Sequence, residues 1–178
     1  ELVLSGPDRG TERTAEQERT ALACGTSVRS IFAGDVLTEG EVTFRILSPA
    51  LSAGEDTNEN SLVLLLSCGN FRGLFTGDIG AETEQSLIRR FGSLLKDLDY
   101  LKAPHHGSKY ATTEELLSFL QPRWALISYG YGNMYGHPAP ELIERLEDAG
   151  AGIYRTALDG CLIVRTDGCG HTSLYTYL

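Results

Sequence analysis

The sequence predicts an α/β fold built on a mixed sheet, and three observations carry that expectation. Strand-like and helix-like segments alternate along the 178 residues, with no internal repeat and no low-complexity linker. The run Leu62 to Leu66 is apolar at every position, so both faces of that strand seek burial. Several strands end directly in short loops of Gly, Asp or His, the arrangement in which α/β sheets gather functional groups.

Taken in order, residues 1–5 read as a strand and Thr11 to Cys24 as a polar helix closed by Gly25. Short strands follow near 28–33 and 41–47 with an Asp-containing turn between them, and Ser52 to Asn60 reads as a loop. Ser61–Ser67 and Phe71–Thr76 form a hairpin across Cys68-Gly69-Asn70. Leu87, Ile88 and Phe91 lie on one stripe of a helix from Ala81 to Phe91 that ends at Gly92. The strand Asp99–Ala103 delivers the chain into Pro104-His105-His106-Gly107. Thr112-Thr113-Glu114-Glu115 fits an N-cap and capping box for a helix to Leu120. The strand Trp124–Tyr129 leads into the loop GYGNMYGH, and Pro138 is placed as the first residue of a helix that Gly150 stops. Strands near 152–155, 160–166 and 172–177 complete the chain.

Composition narrows the function. The chain is 42% hydrophobic and 22% charged, as ordinary globular proteins are, and 178 residues suffice for one domain with a real core. Its longest apolar run, Leu62 to Leu66, is far short of the ~20 residues of a membrane helix, and no signal peptide opens it. A net charge of −9 speaks against a general basic coat for nucleic acid, so a nucleic-acid substrate needs a local basic patch or metal cations. Arg89, Arg90, Lys96, Lys102 and Lys109 read as scattered, solvated charges. Cys24, Cys68, Cys161 and Cys169 form no C-x-x-C pair, which argues against a zinc ribbon.

Three segments sit just past the end of a strand: Asp78 in FTGD, His105 and His106 in APHHGS, and His137 in YGHP. A carboxylate and imidazoles brought together suit a hard or borderline divalent metal. Adjacent strand residues point to opposite faces, so His105 and His106 serve one site only if the chain turns there, as Gly107 permits. Tyr131 and Tyr135 read equally as stacking surfaces for a single strand or as packing residues, and His171 as solvent-exposed.

The runs NSLVLLLSCGNFRGLFTGDI, LKAPHHGSK and YGHPAPELIERLEDAGAGIYRTALDG, with AGDVLTEGEVTFRILSP before them, closely resemble the metallo-β-lactamase-fold domain at the C-terminus of the ComEC family of bacterial DNA-uptake channel proteins. The resemblance is strongest over 60–160. It implies a metallo-β-lactamase-like αββα sandwich. It also implies a phosphodiesterase or nuclease centre in which two metal ions, zinc or manganese, activate a water. Asp78 matches the bridging carboxylate and His137 the last metal-ligand histidine. His105 or His106 matches the proton donor to the leaving oxygen, with Ser108 and the Gly107 amide as phosphate contacts. Asn58, Asn60 and Ser61 lie in a loop that borders the site.

One departure counts against a complete centre. The family's H-x-H-x-D-H is absent, for the chain has four histidines and no H-x-H. Residues 1–178 therefore read as the C-terminal half of such a domain or as a degenerate version of it; the start without Met, running straight into a strand, favours the first. The fragment is then expected to be inactive alone and to bind metal weakly. Its implied partners are DNA, single-stranded or duplex, and the missing N-terminal half. Its implied place is the outer face of the bacterial cytoplasmic membrane. A non-catalytic DNA-guiding or assembly module, or a small-molecule hydrolase of the same fold, stand as alternatives. Half a sandwich exposes an apolar sheet face, which predicts a homodimer or oligomer. Light scattering at tens of micromolar should give more than the monomer mass, and a monomeric value would sink that expectation.

Overall fold

The computed structural model describes residues 1–51 and 57–177, so part of the loop assigned to Ser52–Asn60 lies outside the described residues. The chain opens with β1 (Leu2–Ser5), α1 (Glu12–Ala23) and β2 (Val28–Ile31), and β1 pairs with β2 in parallel. Next come β3 (Val36–Glu39) and β4 (Val42–Ser48), then β5 (Val63–Cys68) and β6 (Phe71–Phe75). The second half alternates helix and strand: α2 (Ala81–Phe91), β7 (Tyr100–Lys102), α3 (Glu114–Leu120), β8 (Trp124–Ile127), α4 (Pro140–Asp148), β9 (Gly152–Arg155) and the single turn α5 (Thr156–Asp159). It closes on the hairpin of β10 (Cys161–Thr166) and β11 (Thr172–Tyr177).

The main sheet has seven strands in the order β3-β4-β5-β6-β7-β8-β9. It is antiparallel from β3 to β6 and parallel from β6 to β9, so it is mixed as expected. Strand β3 falls in the stretch read as a turn before 41–47. Val36 is exposed and its neighbours alternate only weakly, which is how an edge strand escapes a hydrophobic-pattern reading.

One face of this sheet carries the core. Val63, Leu65, Leu74, Leu101, Ala125 and Ile127 are buried against Leu87 of α2, Leu116 and Leu120 of α3, and Leu142 and Leu146 of α4. The opposite face is thinner. Leu64 and Leu66 are half-buried, and a groove of about 680 Å³ separates Leu66, Phe75 and Tyr100 from Leu162 and Val164 of the last hairpin. That hairpin is held where the two turns meet, the Asn70 amide donating to the Gly168 carbonyl at 2.7 Å. Strand β5 is thus buried fully on one face and partly on the other.

Two helix starts differ from expectation. The N-cap of α3 is Thr113, whose hydroxyl accepts from the Leu116 amide at 3.2 Å. Position N3 is then Leu116, and the reciprocal half of a capping box comes from outside the helix: Glu84 of α2 accepts from the Thr113 amide at 2.9 Å. Helix α4 starts at Pro140, not Pro138, because the extended Ala139 donates its amide to the Gly107 carbonyl at 2.9 Å. That bond ties the approach to α4 against the histidine turn.

Candidate functional site

Strands β6, β7 and β8 run parallel, so the segments that follow them emerge along one edge. Asp78 lies three residues past β6, His105 and His106 three and four past β7, and His137 at the far end of the loop from β8 to α4. The Gly77 carbonyl accepts from the His105 amide at 3.2 Å and from Lys102 Nζ at 2.9 Å. It therefore locks the Asp78 turn to the histidine turn.

A second lock comes from the other side. Glu59 accepts from the Gly80 and Thr83 amides at 3.1 and 3.0 Å, placing a carboxylate at the N-terminus of α2, where the helix field favours it. The Asp78 amide donates to Ser61 Oγ at 3.0 Å. A cleft of about 670 Å³ runs from Asp78 past Ser61, Asn60 and Asn58 to Thr11 and Arg13. The loop expected to border the site does border Asp78.

The histidine turn is built from three successive residues in the left-handed region: His105 (φ 48°), His106 (φ 55°) and Gly107 (φ 89°). That reversal lets neighbouring side chains face one region, which an extended strand forbids. His106 Nδ1 lies 2.7 Å from the Ser128 carbonyl oxygen. A carbonyl only accepts, so Nδ1 carries the proton, and in the neutral ring Nε2 is left with its lone pair. Nε2 lies 3.8 Å from Asp78 Oδ2. A lone pair and a carboxylate oxygen facing each other need a cation or a proton between them, and a ring nitrogen fixed by a backbone carbonyl is how ligand histidines are held.

The other two site histidine contacts pair off. The His105 and His137 rings meet edge to face with centroids 5.9 Å apart, and Tyr135 stacks on His137 at 6.0 Å. Asn133 sets His137 in place, its Oδ1 accepting from the His137 amide at 3.0 Å and its Nδ2 donating to the His137 carbonyl at 2.7 Å. Desolvation lowers the His137 pKa, and the nearby His105 and His106 lower it further.

The other residues singled out in the sequence take the following positions. Ser108 is buried and its hydroxyl accepts from the Tyr110 amide at 3.3 Å, while the Gly107 amide donates to the Pro104 carbonyl at 3.1 Å. Both were expected as phosphate contacts; the Gly107 amide is used within the turn, while the Ser108 hydroxyl still has its own proton to donate. His171 is exposed on the β10–β11 turn and bound to Asp167 at 2.8 Å, away from the site. Lys102 was read as a solvated charge, yet it stands inside the site with Nζ 3.7 Å from Asp78 Oδ1. Burial lowers its pKa while Asp78 pulls the other way. Its place three residues before His105 on the strand was the available signal, obscured because lysines in such runs usually face water.

The donor chemistry of Asp78 and His106 suits a divalent cation. Among the described residues, however, no three His, Cys, Asp or Glu side chains gather closely enough to hold one. These residues do not make a complete metal centre. Likewise, among the described residues no helix is long and apolar enough to cross a membrane.

No family model matches the chain. It is 35% identical over 141 residues to ComE operon protein 3 of Bacillus subtilis, which covers 79% of this chain and 18% of that protein. It is 34% identical over 121 residues to competence protein ComA of Neisseria gonorrhoeae, covering 68% of this chain and 17% of that one. The chain thus spans under a fifth of the length of the curated relatives it matches. Among solved structures, CmlA, a diiron β-hydroxylase from Streptomyces venezuelae, superposes with a TM-score of 0.50 at 14% identity, over 85% of this chain and 35% of that one. That likeness bears on the fold alone. With these relatives and this sheet-and-helix architecture, the chain belongs to the ComEC family and has its metallo-β-lactamase-type fold.

Proposed function

We propose that the chain is the acid-bearing part of a metal-dependent phosphodiesterase of nuclease type, within a DNA-uptake protein of the bacterial cytoplasmic membrane whose outer face carries this domain. The observation behind this reading is the convergence of Asp78, His106 and the His105–His137 pair on one edge of the parallel strands. Asp78 and His106 offer a carboxylate and an imidazole lone pair to one side of a metal site. The remaining ligands come from a segment of the protein outside residues 1–178, where the family's H-x-H-x-D-H belongs. His137 completes the ligand set from the β8–α4 loop. His105, the histidine whose ring faces His137 and not Asp78, gives the proton to the leaving oxygen. Lys102 holds Asp78 in place and partly offsets its charge.

The test needs the longer protein that supplies the other ligands, given Mn²⁺ or Zn²⁺ and a labelled oligonucleotide. Asp78→Ala should abolish cleavage, and His105→Ala should lower it by roughly 10²–10⁴-fold, the usual contribution of a positioned acid. Binding should survive both changes. Binding without any cleavage in the parent protein would favour the second reading, a DNA-guiding module.

A further inference from the structure

The loops that carry the histidines also carry the most exposed aromatic surface of the protein. Tyr131 is 88% exposed, Tyr135 80% and Met134 95%, all between β8 and α4, and Tyr110, just past the histidine turn, is 74% exposed. Such side chains in a disordered tip would mean little, but this loop is braced. Asn133 donates to the Gly130 and His137 carbonyls at 3.2 and 2.7 Å and accepts from the Tyr135 and His137 amides at 3.2 and 3.0 Å. Tyr131 stands out into solvent on this built turn, and Tyr135 stays mostly exposed while one face of its ring stacks on His137.

Geometry and charge specify what they meet. The Tyr135 ring lies 20° from parallel with His137, so one of its faces is stacked and its outer face is free to take another flat ring. In a chain with 24 acidic residues, neither Leu101–Thr113 nor Ser128–Pro140 contains an Asp or Glu. Lys109 sets its ammonium 5.1 Å from the Tyr110 ring centre. Flat aromatic faces on a loop that carries no acidic residue suit a polyanion that presents unstacked rings. The bases of a duplex are stacked on one another and offer no such faces.

We infer that Tyr131 and Tyr135 form a platform on which the bases of single-stranded nucleic acid stack as the strand passes to the His105–His137 edge. This rests on the phosphodiesterase reading only for the direction of the strand; the platform itself stands on exposure, bracing and charge.

The test is fluorescence anisotropy of a short labelled oligothymidylate titrated with the 178-residue chain in EDTA, so that no cleavage intervenes. The Tyr131→Ala/Tyr135→Ala variant should bind at least about tenfold more weakly. The Phe variants at the same positions should bind as the parent does, and an abasic strand of equal length should bind the parent as weakly as oligothymidylate binds the Ala variant. A duplex should show less than about twofold change. Equal binding of thymidylate and abasic strands, or by parent and Ala variant, or no binding at all, overturns the platform. So does tyrosine-dependent co-sedimentation with anionic phosphatidylglycerol vesicles in place of strand binding, which would assign the loop to a lipid surface. Stacking-dependent binding in a protein that never cleaves would leave the platform standing and remove the hydrolase reading; cleavage that ignores the tyrosines would do the reverse.

Discussion

Replacing Glu84 with alanine is expected to destabilise the protein by about 3–5 kcal/mol, a large part of the ~5–15 kcal/mol that a domain has to lose. Glu84 is fully buried on α2 and accepts from the backbone amides of both Thr112 and Thr113. Those amides lie at the start of α3, where the helix cannot satisfy them itself. From the opposite side, Arg145 of α4 donates to the carbonyls of Lys109, Ala111 and Thr112 at 3.1, 2.9 and 3.0 Å. The segment leaving the histidine turn is therefore gripped at its amides by one helix and at its carbonyls by another. Alanine at 84 strands two buried donors, each costing about 1–3 kcal/mol, and frees the turn that carries His105 and His106.

The same carboxyl gives the prediction a pH signature. Burial raises the Glu84 pKa above its ordinary 4.5, against the opposing pull of the Thr113 and Thr112 amides and of Arg145. A folded-state value above the unfolded one means that the protonated form favours folding. That contribution is complete below pH 4.5 and is lost as the pH rises through the raised folded value. Urea melts across that window should show stability falling with pH in the parent and a flatter profile in Glu84→Gln, which keeps an acceptor for only one amide. An alanine variant within about 1 kcal/mol of the parent would show that the grip contributes little.

The contrast between what the sequence revealed and what it hid follows from the range of each interaction. The core strands were legible because Leu62 to Leu66 and Trp124 to Ile127 announce themselves by residue type alone, and the stripe Leu87, Ile88, Phe91 gives away α2. The edge strand β3 was not, since nothing buries its outer side. Asp78, His105, His106 and His137 were legible because each follows a strand, and parallel strands bring their ends to one edge whatever the sequence distance. Their pairing was not legible. Whether His106 faces Asp78 or His137 depends on left-handed backbone at two non-glycine residues and on a hydrogen bond to Ser128, twenty-two positions away. Glu84 was invisible for the same reason: read alone it is one more acid on a polar helix, and only the tertiary approach of Thr112 and Thr113 makes it a cap.

Gly107→Ala is expected to be the most damaging single-methyl change in the site. The residue sits at φ 89°, where a side chain costs about 1–2 kcal/mol. Space is the larger constraint: a Cβ there would lie 2.7 Å from Pro138 Cβ, 2.9 Å from Ile127 Cγ2 and 3.0 Å from Leu142 Cδ2. None of these is the loose end of a flexible chain, since Pro138 is a ring and Ile127 and Leu142 are core residues, so the backbone must move. Overpacking of this kind adds about 1–3 kcal/mol, and the sum should lower the melting temperature by roughly 5–15 °C. Gly107 also accepts from the Ala139 amide, so displacing it separates the histidine turn from the His137–Pro138 approach to α4. The ring contact between His105 and His137 should loosen with it, which proton NMR can follow through the cross-peaks between the two imidazoles. Gly130→Ala is the matched control. It lies in the neighbouring loop with nothing within 4 Å of its added methyl and no left-handed backbone, so it should melt within about 0.5 kcal/mol of the parent. If Gly107→Ala behaves like that control and keeps the imidazole cross-peaks, then the close approach of the turn to Pro138 does not hold the two histidines together.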